Sequence, residues 1–176
     1  MRSEDPTIRF ADSVMVIANW HNAQIIDLGG RMTVPHVRAI KMNFQLLVSR
    51  FPRLVTGITA VRHTVPMSDK AIHDELTKML KEQKEAGIEM KGSTVAYETR
   101  GVIGTAIRAV ARTVMTISGN RQNQIVSSVD EGVPLMLPHV RTVEGEAVTR
   151  SALEEAIRKV RAAYEKHLAA EAVERT

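Results

Sequence analysis

Four groups of residues in this chain have types and spacings that could do chemistry. Ser68, in Val65-Pro66-Met67-Ser68-Asp69, stands just ahead of an apolar repeat of helical period. A hydroxyl there caps a helix, a contribution of about 1 kcal/mol. Phosphorylated, it would set an anion on the free N–H groups and dipole of the same helix start. His63 and His73 flank that start, with Asp69 and Asp74 nearby. A metal site needs three or four converging ligands, and no two histidines share a helix at His-x-x-x-His spacing. They read as surface or half-buried side chains, with no metal. Arg108 and Arg112 lie one turn apart, a spacing from which paired guanidiniums grip carboxylate or phosphate. Their plainer role is a solvated face over a buried apolar stripe. Gly101-Val102-Ile103-Gly104 follows an extended run but lacks both the full Gly-x-Gly-x-x-Gly pattern and the Walker pattern. There is no Gly-x-Ser-x-Gly elbow, and Glu98 and Asp130 show no spacing that singles out an acid/base pair. The expectation is a protein that is not an enzyme and carries no cofactor.

Composition narrows the partners. The 176 residues hold no cysteine, which removes disulfides, thiolate metal sites and a cysteine nucleophile, and fits a cytoplasmic setting. The start, Met1-Arg2-Ser3-Glu4-Asp5-Pro6, is charged with no apolar run behind it, unlike a signal peptide. The longest apolar stretch, residues 102–117, is interrupted by Arg108 and Arg112 and is shorter than the roughly 20 residues a bilayer span needs. A net charge of +4 permits nucleic acid or anionic lipid as a partner. Aromatics are only 3%, however, and basic residues do not cluster with stacking rings, which argues against nucleic acid.

The elements that must position these groups follow from periodicity. Residues 14–20 and 23–28 are rich in branched side chains and nearly adjoin, so a hairpin is the economical pairing, with a turn at His21-Asn22 where Asn tolerates left-handed angles. Residues 7–10 add a short edge strand. Thr33 caps a helix with Pro35 near its start, on which Val37, Ile40, Phe44, Leu47, Val48 and Phe51 form one stripe until Pro52. Strands follow at 54–61, 93–98 and 124–128. The helix after Ser68 buries Ile72, Leu76, Met79 and Leu80 and stops at Gly87. The helix opened by Gly101 buries Ile103, Ile107, Val110, Val114 and Ile117, with Arg108 and Arg112 outward. Residues 130–137 form one or two helical turns, 138–148 connect, and a last helix begins at the capping box Ser151-Ala152-Leu153-Glu154. Its stripe is Leu153, Ile157, Val160, Tyr164 and Leu168. Strands alternating with helices imply an α/β fold with parallel pairing and right-handed crossovers.

That order, with Gly29-Gly30 after the hairpin and Ser68 opening the second helix, resembles the STAS domain, the fold of anti-sigma-factor antagonists and of the cytoplasmic tails of sulfate transporters. The run from Gly101 through Ile107-Arg108-Ala109-Val110 is similar to small stand-alone bacterial STAS-like proteins. The resemblance covers residues 14–137. It implies a mixed sheet with a leading hairpin, a binding role without chemistry, and phosphorylation at a serine in the place of Ser68. This chain lacks the flanking glycine and second hydroxyl of the antagonists' Asp-Ser-Ser-Gly-like sequence.

The resulting expectation is a STAS-like α/β domain over residues 7–140, followed by a connector and C-terminal amphipathic helix over 141–176. It would act as a regulatory module docking on a partner protein through the second helix, with Lys70, Arg108 and Arg112 supplying charge. The last helix packs on its own sheet, swaps onto a neighbour as a homo-oligomer, or enters a partner's groove. One alternative is a sensor for a small ligand or lipid, its pocket lined by some of the nine methionines. A further one is an enzyme with dispersed catalytic residues.

Overall fold

A computed structural model describes residues 5–52, 54–62, 70–88, 90–117 and 123–174. The elements run β1 (Thr7–Ala11), β2 (Met15–Trp20), β3 (Ala23–Leu28), α1 (Val34–Arg50), β4 (Thr56–Val61), α2 (Lys70–Glu85), β5 (Ser93–Tyr97), α3 (Gly101–Ile117), β6 (Asn123–Val126), α4 (Val129–Met136) and α5 (Arg150–Glu174). Six strands form one mixed sheet in the order β1-β2-β3-β4-β5-β6. The first three are antiparallel neighbours, and β3 to β6 pair in parallel. Among the described residues no helix is long and apolar enough to cross a membrane.

The expected hairpin is β2–β3, with Trp20 opposite Ala23. Its two-residue turn puts His21, not Asn22, at positive φ (54°). Asn22 is instead buried and fully used. Its Nδ2 donates to the carbonyls of Leu54 (3.2 Å) and His139 (2.9 Å), and its Oδ1 accepts from the N–H of Arg141 (2.8 Å). The side chain that tolerates a turn is here spent on tying the hairpin tip to two distant segments.

Strand alternation divides the core in two. Val16, Ala18, Ile25, Ile58, Ala60 and Ala96 face α4 and α5, and pack with Val133, Met136, Leu153, Ile157, Val160 and Tyr164. Met15, Ile17, Ile26, Leu28 and Val61 face the other way, toward Val37 of α1 and Ile72 of α2. The α5 stripe, from Leu153 to Tyr164, is thus buried on this chain's own sheet, with only Leu168 substantially open (38% exposed). The helix that sequence set apart at residue 141 shares its core with the strands. It starts one residue before the expected capping box: Thr149 Oγ1 accepts from the N–H of Ala152 (3.2 Å), while Ser151 is exposed.

Candidate functional site

The helix α3 departs most from its sequence reading. An apolar stripe of this strength is expected to turn inward, yet Val102 is 86%, Ile103 65% and Val110 64% exposed. Arg108 is half-buried and Arg112 exposed, yet both guanidinium groups reach back to backbone carbonyls. Arg108 Nη1 donates to the carbonyls of Tyr97 (3.2 Å) and Thr99 (3.1 Å), and Arg112 Nη2 to the carbonyl of Ile125 (3.0 Å). Tyr97 and Thr99 lie at and just past the C-terminal end of β5, and Ile125 is the penultimate residue of β6; a guanidinium carries enough N–H groups to bond such carbonyls. Gly104 permits this seat, because a Cβ there would run into the Thr99 carbonyl. The expected orientation therefore fails at Ile103 and Val110, which are exposed, and at Arg108, which is half-buried; Ile107 is half-buried, Arg112 is outward as expected, and the side chains of Val114 and Ile117 lie outside the described residues. Carbonyl capping at a sheet edge leaves no pattern in a helix's own sequence.

Of the other residues singled out by sequence, Ser68, His63 and Asp69 lie outside the described residues. Lys70 opens α2 and is exposed. His73 and Asp74 lie on exposed parts of α2. Among the described residues no group of three or more His, Asp or Glu could hold a metal ion.

Two polar clusters were not anticipated. In the first, Asp12, in the β1–β2 turn, accepts from the N–H groups of Val14 (2.8 Å) and Met15 (2.9 Å) and contacts His36 Nε2 at 2.8 Å. His36 Nδ1 accepts the N–H of Thr33 (2.8 Å), which leaves the proton on Nε2 to donate to Asp12. Histidine thereby fills the place that Glu or Gln takes in a capping box. Thr33 Oγ1 also lies 2.8 Å from Nδ1. The composition is that of a nucleophile relay, but the lone pair that would activate the hydroxyl already serves the backbone N–H. The pair acts as a clamp between the β1–β2 turn and α1. Burial pushes the Asp12 carboxyl upward, and the Met15 and Val14 N–H groups with His36 outweigh it, so its pKa lies below the usual value.

The second cluster sits where β3 and β4 end beneath α5. Asp27 is 1% exposed and bound at both oxygens by Arg62, at 2.9 and 2.5 Å. Arg62 also donates to Glu165 (3.1 Å) and lies over the Tyr164 ring (5.3 Å to its centroid). Tyr164 in turn donates to the carbonyl of Ser13 (3.0 Å). The Asp27 hydrogen bonds raise the Arg62 pKa further despite partial burial. Nearby, Arg161 donates to Glu98 at 2.6 Å. Arg161 and Glu165, one turn apart on α5, thus make long-range bonds, to Glu98 and to Arg62 respectively.

A space of about 210 Å³ lies between α2 and the sheet, against Met32 and α1 on one side and Val95 and Tyr97 of β5 on the other. Burial pushes the Tyr97 hydroxyl pKa up. Comparison with known proteins adds no relative: no family model, no curated protein and no solved structure matches this chain.

Proposed function

We propose that this chain is a STAS-like cytoplasmic module without catalysis of its own, which regulates a partner protein by docking on it through α3. The observation that carries the reading is the outward apolar stripe of Val102, Ile103 and Val110. Exposed apolar side chains scattered singly are ordinary, but a row of them on one helix suits an interface. The only charged side chains of α3 are arginines, with Arg100 exposed just before it. An apolar partner surface rimmed by carboxylates complements that combination. The leading hairpin and the sequential strand order support the STAS resemblance. The sequence reading centred docking on the second helix and Lys70; the exposed stripe favours α3, with Arg108 as a scaffold for the surface. Phosphorylation of Ser68 rests on the resemblance and is read directly from the intact mass of protein purified from its native cell.

The test is photo-cross-linking in that cell, with a benzophenone side chain at position 102 or 110 and, as control, at exposed position 158 on α5. A single heterologous adduct at 102 and 110, absent at 158 and lost when Ile103→Asp is added, supports the reading. Equal labelling at all three positions, or no adduct at 102 and 110, refutes it. An adduct between two copies of this chain would replace it with self-association.

A further inference from the structure

The sheet is packed unequally on its two faces. On the α4/α5 side the central strands are closed: Ile58 is 2%, Ala60 3% and Ala96 0% exposed. On the α2 side their alternating neighbours Thr59 and Val95, at the centre of the sheet, remain partly open. Leu76 and Leu80, on the inward stripe of α2, are likewise only half-buried. A centre less covered than its surroundings means that α2 stands away from the sheet, and the space of about 210 Å³ lies there. The strand register gives the space a polar end. Gln24 is aligned with Gly57, and Ser93 with Asn123, in one row across β3 to β6. Gly57 leaves a dip in that row. Ser93 is 2% exposed, lines the space, and its hydroxyl has no hydrogen-bond partner among the described residues. A buried hydroxyl is ordinarily satisfied, so this one is available to an occupant.

We propose that the space between α2 and the sheet binds a small neutral molecule with an apolar body and one hydrogen-bonding end. The body would lie against Val95, Leu76 and Met79, and the polar end at Ser93. Charge decides the class. Among the described residues no Asp, Glu, Lys or Arg lines the space, and its one histidine, His73, is exposed on α2, so a carboxylate or ammonium buried at the Ser93 end would lack a fixed counter-charge, which is strongly unfavourable. Size limits it as well. An apolar cavity of roughly 150 Å³ takes up one benzene ring, so this one suits a molecule somewhat larger, such as a two-ring aromatic or a medium-length alkyl chain. Three methionines, Met32, Met79 and Met90, line the space, and their unbranched thioethers adapt to such shapes.

Octan-1-ol is the probe and octanoate its charged counterpart, titrated into the full-length chain with labelled methionine methyls. The signals of Met32, Met79 and Met90 are expected to shift saturably with octan-1-ol. Those of Met136, buried on the opposite face, stay fixed. Octanoate binds at least about tenfold more weakly, as burial of an unpaired charge requires. Val95→Phe fills the space and abolishes the shifts, and Leu76→Phe repeats the test from the helix side if the first variant fails to fold. Ser93→Ala weakens octan-1-ol about fivefold, the share of one hydrogen bond. The site is overturned if the three methyls do not saturate, if Met136 shifts with them, if octanoate binds as tightly, or if a folded filled variant binds like the wild type. An unchanged affinity in Ser93→Ala overturns the placement of the polar end.

Discussion

Two acidic side chains do different work, and each makes its own prediction. Asp27 is buried on a strand and has one strong partner, Arg62. Removing that partner strands a carboxylate in the core, a loss of about 3–5 kcal/mol for a buried pair. Arg62→Met is expected to lower stability to denaturant by that order, and Asp27→Asn in the same background to restore part of it. If Arg62→Met lies within about 0.5 kcal/mol of wild type, an ordinary surface change, the ion pair does not hold β3, β4 and α5 together. Asp12 is more open and acts through pH. Its folded pKa lies below the 3.8 of a free carboxyl. Its stabilisation is therefore present above the unfolded value and lost as pH falls through the folded one. The stability gap between wild type and Asp12→Asn should be widest above about pH 4 and close below it, as read from denaturant midpoints between pH 3 and 6. A gap independent of pH would remove the carboxylate from the clamp. Neither pairing was legible in the chain, because the partners are 35 and 24 positions apart. Pair spacing within one helix finds only neighbours three or four apart.

At the scale of the element, α3 shows how a helix can be drawn correctly and still present part of its apolar stripe to solvent. Its extent and opening glycine follow from periodicity, and its apolar face is plain in the sequence. Which face meets the sheet is a competition between burying aliphatic area and satisfying strand-end carbonyls. At this edge the carbonyls win, through Arg108 and Arg112. The two orientations predict opposite mutational costs. Arg108→Ala should destabilise by about 1–2 kcal/mol, since a charged donor leaves two carbonyls. Val110→Ser should stay within about 0.5 kcal/mol, as a solvent-facing change does. The inward-stripe reading demands the reverse order, so thermal or denaturant unfolding of the two variants decides between them. Gly104→Ala should also destabilise, by forcing α3 off the Thr99 carbonyl. The helix α1 is the contrasting case. Its stripe turns Val37, Phe44 and Leu47 inward as expected.

Across the whole molecule, the sheet is a layer between unequal partners. One face is sealed by α4 and α5, and the other is covered by α1 and only loosely by α2. The last helix is part of the fold: Leu153, Ala156, Ile157, Val160 and Tyr164 are all buried, against Val16, Ala18, Trp20 and Ile25 among others. A chain ending at residue 148 should lose cooperative unfolding and its near-ultraviolet tryptophan signal, because Trp20 would be opened to water. A cooperative transition in that fragment would make α5 an accessory. Local sequence already determined a good deal: the strands and helices, the hairpin and the α/β class. Side-chain alternation, caps and turn residues act between near neighbours and are written in order along the chain. Only the tertiary structure decided which face of α3 points outward, that α5 closes its own sheet, that Asp12 and Asp27 find His36 and Arg62, and that a space opens beneath α2. Each of these depends on the distance between surfaces that meet only once the chain has folded.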